Sequence, residues 1–294
     1  YGLMCKEDGM VFDDGVTACL ADNHFVMTTT TGGAARVLQW LEIYHQTEWP
    51  DLKVYFTSVT DHWATMTLSG PNSRKLLGEV TDIDISSEAF PFMTWKEGLV
   101  GGVPARVFRI SFTGELSYEV NVQADYAMGV LEKIVDAGKK YNLTPYGTET
   151  MHVLRAEKGF IIVGQDTDSS MTPDDLNMGW CVGRTKPFSW IGWRGMNRED
   201  CVRDQRKQLV GLKPIDPTKW LPEGAQLVFN TKQTIPMTMV GHVTSSYLHN
   251  SLGYSFAMGV VKGGLKRIGE RVFAPLADGS VIEAEIVSSV FFDP

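Results

Sequence analysis

From about residue 205 onward the helical periodicity of this chain stops, and that change limits the fold more than any other feature. Short apolar runs at 208–214, 226–229, 237–246, 256–261, 271–274 and 281–290 alternate with turn residues. Such closely spaced runs read as an all-β barrel or sandwich. Upstream, hairpins and helices mix without a regular strand–helix–strand series. Strands are expected at 10–20, 24–30, 54–60 and 63–68, and a hairpin over 103–111 and 116–122. Helices are expected from Gly32-Gly33 to about 46, over 73–78, over 126–140 and over 148–158, the last ended by Gly159. This mixture argues for an α+β region at 1–204 followed by an all-β domain at 205–294, divided in the polar stretch 197–207.

The helix after Gly33 carries Val37, Leu38, Leu41 and Tyr44 on one stripe, and the helix over 126–140 carries Met128, Val130, Leu131, Ile134 and Val135. Asn72 or Ser73 is the expected cap of the short helix. Hydrophobic residues make up 43% of the 294 residues, enough for a sizeable core. A formal charge of −8 argues against a nucleic-acid partner and against a basic membrane patch. No apolar stretch reaches membrane-spanning length. The four cysteines lack C-x-x-C spacing and read as free thiols of a reducing, cytoplasmic compartment. The six histidines are dispersed; the nearest pair, His242 and His249, has no recognised ligand pattern, so no metal is expected. The chain opens at Tyr1 and enters a strand-like run almost at once, as expected of a piece of a longer polypeptide.

Asp13-Asp14 ends an apolar run flanked by Gly9 and Gly15. Neighbouring side chains of a strand point to opposite faces, so one acid can reach solvent while the other enters a pocket. Alternation alone does not say which. Trp180, Trp190 and Trp193 are expected in the core, with stacking on an aromatic ligand as the alternative. Arg155 and Glu157 read as an ion-pair network or as ligand contacts.

Several segments in order resemble the aminomethyltransferase, or glycine-cleavage T-protein, family. They are Met4-Cys5-Lys6-Glu7-Asp8-Gly9 leading into Asp13-Asp14, Ser69-Gly70-Pro71, Pro91-Phe92-Met93-Thr94, Phe112-Thr113-Gly114-Glu115 with Tyr118-Glu119-Val120, Arg155-Ala156-Glu157, Gly164-Gln165-Asp166 and Gly241-His242-Val243-Thr244-Ser245. The run from Tyr146 to Asp168 is similar to the branch of that family found in the C-terminal portion of heterotetrameric sarcosine oxidase alpha subunits.

The resemblance implies tetrahydrofolate as acceptor of a one-carbon unit held on a secondary amine. In that branch the donor is the iminium from flavin oxidation of sarcosine, and the products are 5,10-methylenetetrahydrofolate and glycine. It implies that Asp14 is the catalytic acid, turned into the pocket with Asp13 as the outward, turn-capping partner, and that Glu119 holds the pterin. Tyr1, Thr29, Phe112 and Met151 fall on further folate-pocket positions. FAD, FMN and NAD are then expected only in the rest of a parent complex, on flavoprotein subunits of a hetero-oligomeric oxidase. Phe112 stands where glycine-cleavage enzymes have tyrosine, Met151 where they have arginine, and Thr29 where they commonly have asparagine. These departures favour the sarcosine oxidase branch over a lipoyl-protein-linked donor. A stand-alone glycine-cleavage aminomethyltransferase and a non-catalytic assembly domain of a flavoprotein oxidase are the alternatives. Gly32-Gly33 lacks the G-x-G-x-x-G pattern of dinucleotide binding.

Overall fold

The computed structural model describes residues 1–248 and 250–294; His249, one of the noted histidine pair, lies outside the described residues. In chain order the elements are strands β1 (Gly2–Cys5), β2 (Val11–Gly15), β3 (Thr17–Ala21) and β4 (His24–Met27), helix α1 (Ala34–Thr47), β5 (Trp63–Ser69) and α2 (Ser73–Val80). Strands β6 (Trp95–Val100), β7 (Val103–Phe108) and β8 (Ser117–Gln123) and helices α3 (Ala127–Gly138) and α4 (Thr148–Glu157) follow. Two one-turn helices, α5 (Trp193–Met196) and α6 (Glu199–Val202), precede β9 (Lys207–Pro214), β10 (Gln226–Leu227), β11 (Gly241–Tyr247), β12 (Phe256–Lys262), β13 (Arg271–Pro275) and β14 (Val281–Val287). Contacts group the chain into two compact units, one of Tyr1–Val37 with Val153–Asp293 and one of Leu38–His152 with Pro294. No helix among the described residues is long and apolar enough to cross a membrane.

In the first unit, β9–β14 form an antiparallel sheet of order β10-β11-β12-β9-β14-β13. Val228 and Phe273, on the two edges, exchange backbone hydrogen bonds of 2.9 Å and nearly close the sheet into a barrel. Val210, Leu212, Ala257, Val261, Ala284 and Ile286 fill its interior. On β12 the alternate residues Phe256, Met258 and Val260 are buried as well, against Ala156 of α4, Leu209 and Tyr247. Burial of both faces explains why β12 reads as an unbroken apolar run.

A buried polar knot joins α4 to the barrel. Arg155, fully buried, pairs with Asp166 and donates to Ser245 Oγ (2.8 Å) and Tyr247 OH (3.1 Å). Asp166 also accepts from Thr244 Oγ1 and Ser245 Oγ, both at 2.6 Å, and from the Ile162 N–H. Glu157 is not part of this network: its carboxylate accepts the Ser251 N–H and hydroxyl (2.9 and 2.7 Å). Of the two expectations for these residues, the structural network is therefore what the chain builds, with Asp166 rather than Glu157 as Arg155's partner.

In the second unit, β5-β8-β7-β6 form an antiparallel sheet. Leu76 and Leu77 of α2 and Val130 and Ile134 of α3 cover one face, packing on Val107, Tyr118, Val120 and Val122. Only Val130 and Ile134 of the expected α3 stripe are buried; Met128, Leu131 and Val135 remain exposed. Likewise only Val37 of the α1 stripe is buried. Strand β6 was not expected from the sequence, although Gly101-Gly102, both at positive φ, form the tight turn that returns it into β7.

Residues 54–60 form no strand, and Tyr55 is 95% exposed. The β-branched and aromatic composition there finds no neighbouring strand to pair with, and strand propensity without a partner does not suffice. The expected strand over 10–20 is broken at Val16 into β2, which pairs with β1, and β3, which pairs with β4. Neither Asn72 nor Ser73 caps α2 through its side chain; Ser73 Oγ instead donates to the Leu116 carbonyl at 2.9 Å.

Truncating Arg155→Ala would leave Asp166 charged and buried, a cost of about 3–5 kcal/mol. Urea unfolding of that variant should show a large loss. Truncating Lys139, whose pair with Asp136 is exposed, should leave the midpoint unchanged.

Candidate functional site

In the first unit the site is built around the end of β2. Asp13, not Asp14, is the inward acid: it is fully buried, whereas Asp14 is half-buried. The expected orientation is inverted because Thr30, the Asp14 backbone and Arg36 together surround the Asp13 carboxylate with donors. Its carboxylate accepts the N–H groups of Asp14 and Thr30, both at 2.9 Å, and the Thr30 hydroxyl at 3.0 Å, with the Arg36 guanidinium 3.5 Å away. Gly33 is required at this approach, since a Cβ there would lie 1.7 Å from Asp13 Oδ2. Thr29, next to Thr30, turns its hydroxyl to the Thr30 carbonyl at 2.9 Å.

Asp14 is thereby left to other work. Leu3 of β1 lies opposite it, and Tyr1 donates its hydroxyl to Asp14 Oδ2 at 2.7 Å. Burial raises the Asp14 carboxyl above the ordinary range, the Tyr1 hydrogen bond opposes this, and the Asp13 charge adds to it. Burial and the Asp14 charge likewise raise the Tyr1 phenol. Trp180 stacks on Tyr1, ring centres 6.3 Å apart and planes 24° from parallel. At 74% exposure it is not the core residue expected from the sequence. Trp190 and Trp193 pack edge to face on one another.

In the second unit Glu119 lies on β8, on the sheet face opposite the helices. The residues beside it on that face satisfy one another across the β5–β8 ladder. Ser117 Oγ meets Ser69 Oγ at 2.8 Å, and Thr65 Oγ1 donates to Asn121 Oδ1 at 2.6 Å. Glu119, opposite Thr67, has no hydrogen bond or ion pair to its carboxylate among the described residues. Desolvation alone pushes its carboxyl above the usual range. A half-buried acid without a donor is costly in the free protein and is a ready acceptor for an incoming one.

Phe112 is half-buried in the segment between β7 and β8. The hydroxyls of Ser111 and Thr113 on either side are buried without a partner among the described residues. Met151 is half-buried on α4. Tyr1, Asp14 and Thr29 thus belong to the first unit, and Glu119, Phe112 and Met151 to the second. The sequence reading weighed Trp180 as a core residue or a ligand-stacking one, and did not pair it with Tyr1.

The family model described as the GCVT N-terminal domain matches residues 1–186, and the glycine cleavage T-protein C-terminal barrel domain matches residues 207–293. The chain belongs to the glycine-cleavage T-protein, or aminomethyltransferase, family. It is 50% identical over its whole length to a sarcosine oxidase subunit alpha of Corynebacterium sp. (strain P-1), of which it covers 30%, and 40% identical to that of Rhizobium meliloti, again over 30%. An aminomethyltransferase of Halothermothrix orenii is 29% identical over 89% of this chain and 69% of its own. The fold matches the crystal structure of glycine cleavage system aminomethyltransferase T from Bartonella henselae with a TM-score of 0.83 over 99% of this chain and 75% of that one, at 22% identity. The chain therefore spans about a third of the length of the sarcosine oxidase subunits it resembles. The T-protein family is one of enzymes, and this chain is an aminomethyltransferase-type domain.

Two outcomes follow from the geometry of this T-protein domain. Gly33→Ala should cost about 1–3 kcal/mol by forcing Asp13 off its donors, while Gly32→Ala, with open space at its Cβ, should not destabilise; urea midpoints distinguish them. Glu119 is raised in the folded state, so its ionised form weakens the fold above the folded pKa, and the penalty vanishes below the unfolded value of about 4.3. Glu119→Gln should accordingly stabilise the ligand-free protein at neutral pH and lose that advantage on acidification, as read by thermal unfolding at several pH values.

Proposed function

We propose that this chain is the tetrahydrofolate-dependent one-carbon-transfer domain of a sarcosine oxidase alpha subunit. It would capture the methylene of the iminium formed from sarcosine, giving 5,10-methylenetetrahydrofolate and glycine. In this reading residues 1–204 form the folate-binding region and residues 205–294 a barrel domain. The observation that carries the proposal is Glu119, a desolvated carboxylate with no donor among the described residues, on a ladder whose neighbouring polar side chains are otherwise paired.

A reduced pterin fits such an acid. Its N3–H and 2-amino group are parallel donors, and one carboxylate can accept both. Phe112 and Met151, in the same unit as Glu119, would line the pterin there, and the family resemblance alone adds Tyr1 and Thr29 as folate contacts. When bound, the folate supplies the nucleophilic nitrogens that accept the one-carbon unit. Asp14 would stabilise positive charge at the transferred carbon and hold or accept a proton; its raised carboxyl brings it nearer the range in which it can do both. The Tyr1 hydroxyl fixes the orientation of that carboxylate. Oxidation itself, with FAD, FMN and NAD, would belong to the remainder of the parent complex and its flavoprotein subunits. Similarity along the whole of this chain to about 30% of two sarcosine oxidase alpha subunits supports this donor over a lipoyl-linked one.

Tetrahydrofolate titration of the full chain tests the reading. Glu119→Gln should weaken binding roughly tenfold or more, because an amide replaces one charge-assisted acceptor by a donor. Asp14→Asn should preserve binding and reduce single-turnover transfer about 10²- to 10⁴-fold. Absence of folate binding by the unmutated protein would favour an assembly role instead.

A further inference from the structure

We propose that Trp180 is a positioning residue for Asp14, acting through Tyr1, whose ring it holds so that the phenol hydroxyl stays on the carboxylate. The inference rests on the proposed catalytic use of Asp14. A large indole left 74% exposed gains little from burial, so hydrophobic packing does not account for its place. Its contact is with Tyr1, near parallel and 6.3 Å between ring centres. Tyr1 in turn makes the 2.7 Å bond to Asp14 Oδ2.

The turn that carries Trp180 is built to be fixed. The one-turn stretch Gly179–Cys181 is closed by backbone bonds from Cys181 N–H to the Met178 carbonyl (3.1 Å) and from Val182 N–H to the Gly179 carbonyl (3.2 Å). Asp174, held by Arg184 at 2.6 and 2.7 Å, packs so closely that a Cβ on Gly179 would meet its carboxylate at 2.4 Å. On the other side the Cys181 sulfur is engaged by the Met178 carbonyl at 3.0 Å and by the Leu3 backbone of β1. The indole is therefore anchored to the strand that brings Tyr1 to Asp14.

A donor on a carboxylate favours its ionised form, so loss of the Tyr1 bond must move the Asp14 titration to higher pH. The groups that face Asp14 are Tyr1 and Asp13, and those that face Tyr1 are Asp14 and Cys181. Asp13 is held by Thr30 and Arg36, so the Tyr1 bond is the one that Trp180 can alter.

The test uses the full chain and the variants Trp180→Ala, Trp180→Phe, Tyr1→Phe and the Trp180→Ala/Tyr1→Phe double. The Asp14 carboxyl is titrated by infrared difference spectroscopy with labelled aspartate, Asp14→Asn serving as the blank. Tyr1→Phe and Trp180→Ala should both move the titration upward, Trp180→Phe should largely restore it, and the double variant should go no further than Tyr1→Phe. Folate-dependent turnover of Trp180→Ala should fall roughly two- to tenfold, with the loss lying in kcat more than in KM for tetrahydrofolate. An unmoved titration in Trp180→Ala, a further shift in the double variant, or a raised KM at full kcat would each overturn the proposal. Wild-type turnover in Asp14→Asn would instead defeat the functional reading, while the infrared result still decides whether Trp180 positions Asp14.

Discussion

The buried carboxylate of Asp13 organises much of what surrounds the candidate site. Taking that charge out of water is tolerable only because the turn after β4 supplies the Thr30 N–H and hydroxyl and β2 supplies the Asp14 N–H. The same bonds fix residues 28–33 against β2 and demand a glycine at 33. Once Asp13 is committed inward, strand alternation turns Asp14 to the other face, where Tyr1 meets it. One acid of the pair is thus a structural fastener, and it sets the direction of the other.

Legibility in the sequence followed the physics of each element. The six strands of the C-terminal barrel were readable because each carries its own apolar run and turn. Helix α4 was readable from its period and from Gly159, which adopts a positive φ at its end. Strand β6 was not, since its alternation is interrupted by Lys96 and Gly98 and its identity depends on pairing with β7. The segment 54–60 failed in the opposite way: its composition suits a strand, but no partner strand lies beside it. The orientation of Asp13-Asp14 was illegible because it is decided by donors 17 residues away in the chain. The pairing of Trp180 with Tyr1 was illegible for a similar reason, the two being distant in sequence.

Two carboxyl groups carry raised affinities for protons, and for different reasons. Asp14 is withdrawn from water yet retains a phenol donor and a charged neighbour, so its state is adjustable by small movements of Tyr1. Glu119 has desolvation alone. Its placement costs the free protein stability, a cost that a double donor would offset in the function proposed above. Arg155 and Asp166 contrast with it, since their polar groups meet almost entirely within the protein.

The backbone exchange between Val228 and Phe273 has a further meaning for a domain that resembles parts of much longer polypeptides. An open sheet offers a template to any extended chain nearby, including its own copies during synthesis. By joining its edge strands through a single bridge, the barrel narrows that template with two residues, so that a module carried within a large polypeptide offers less edge for strand exchange.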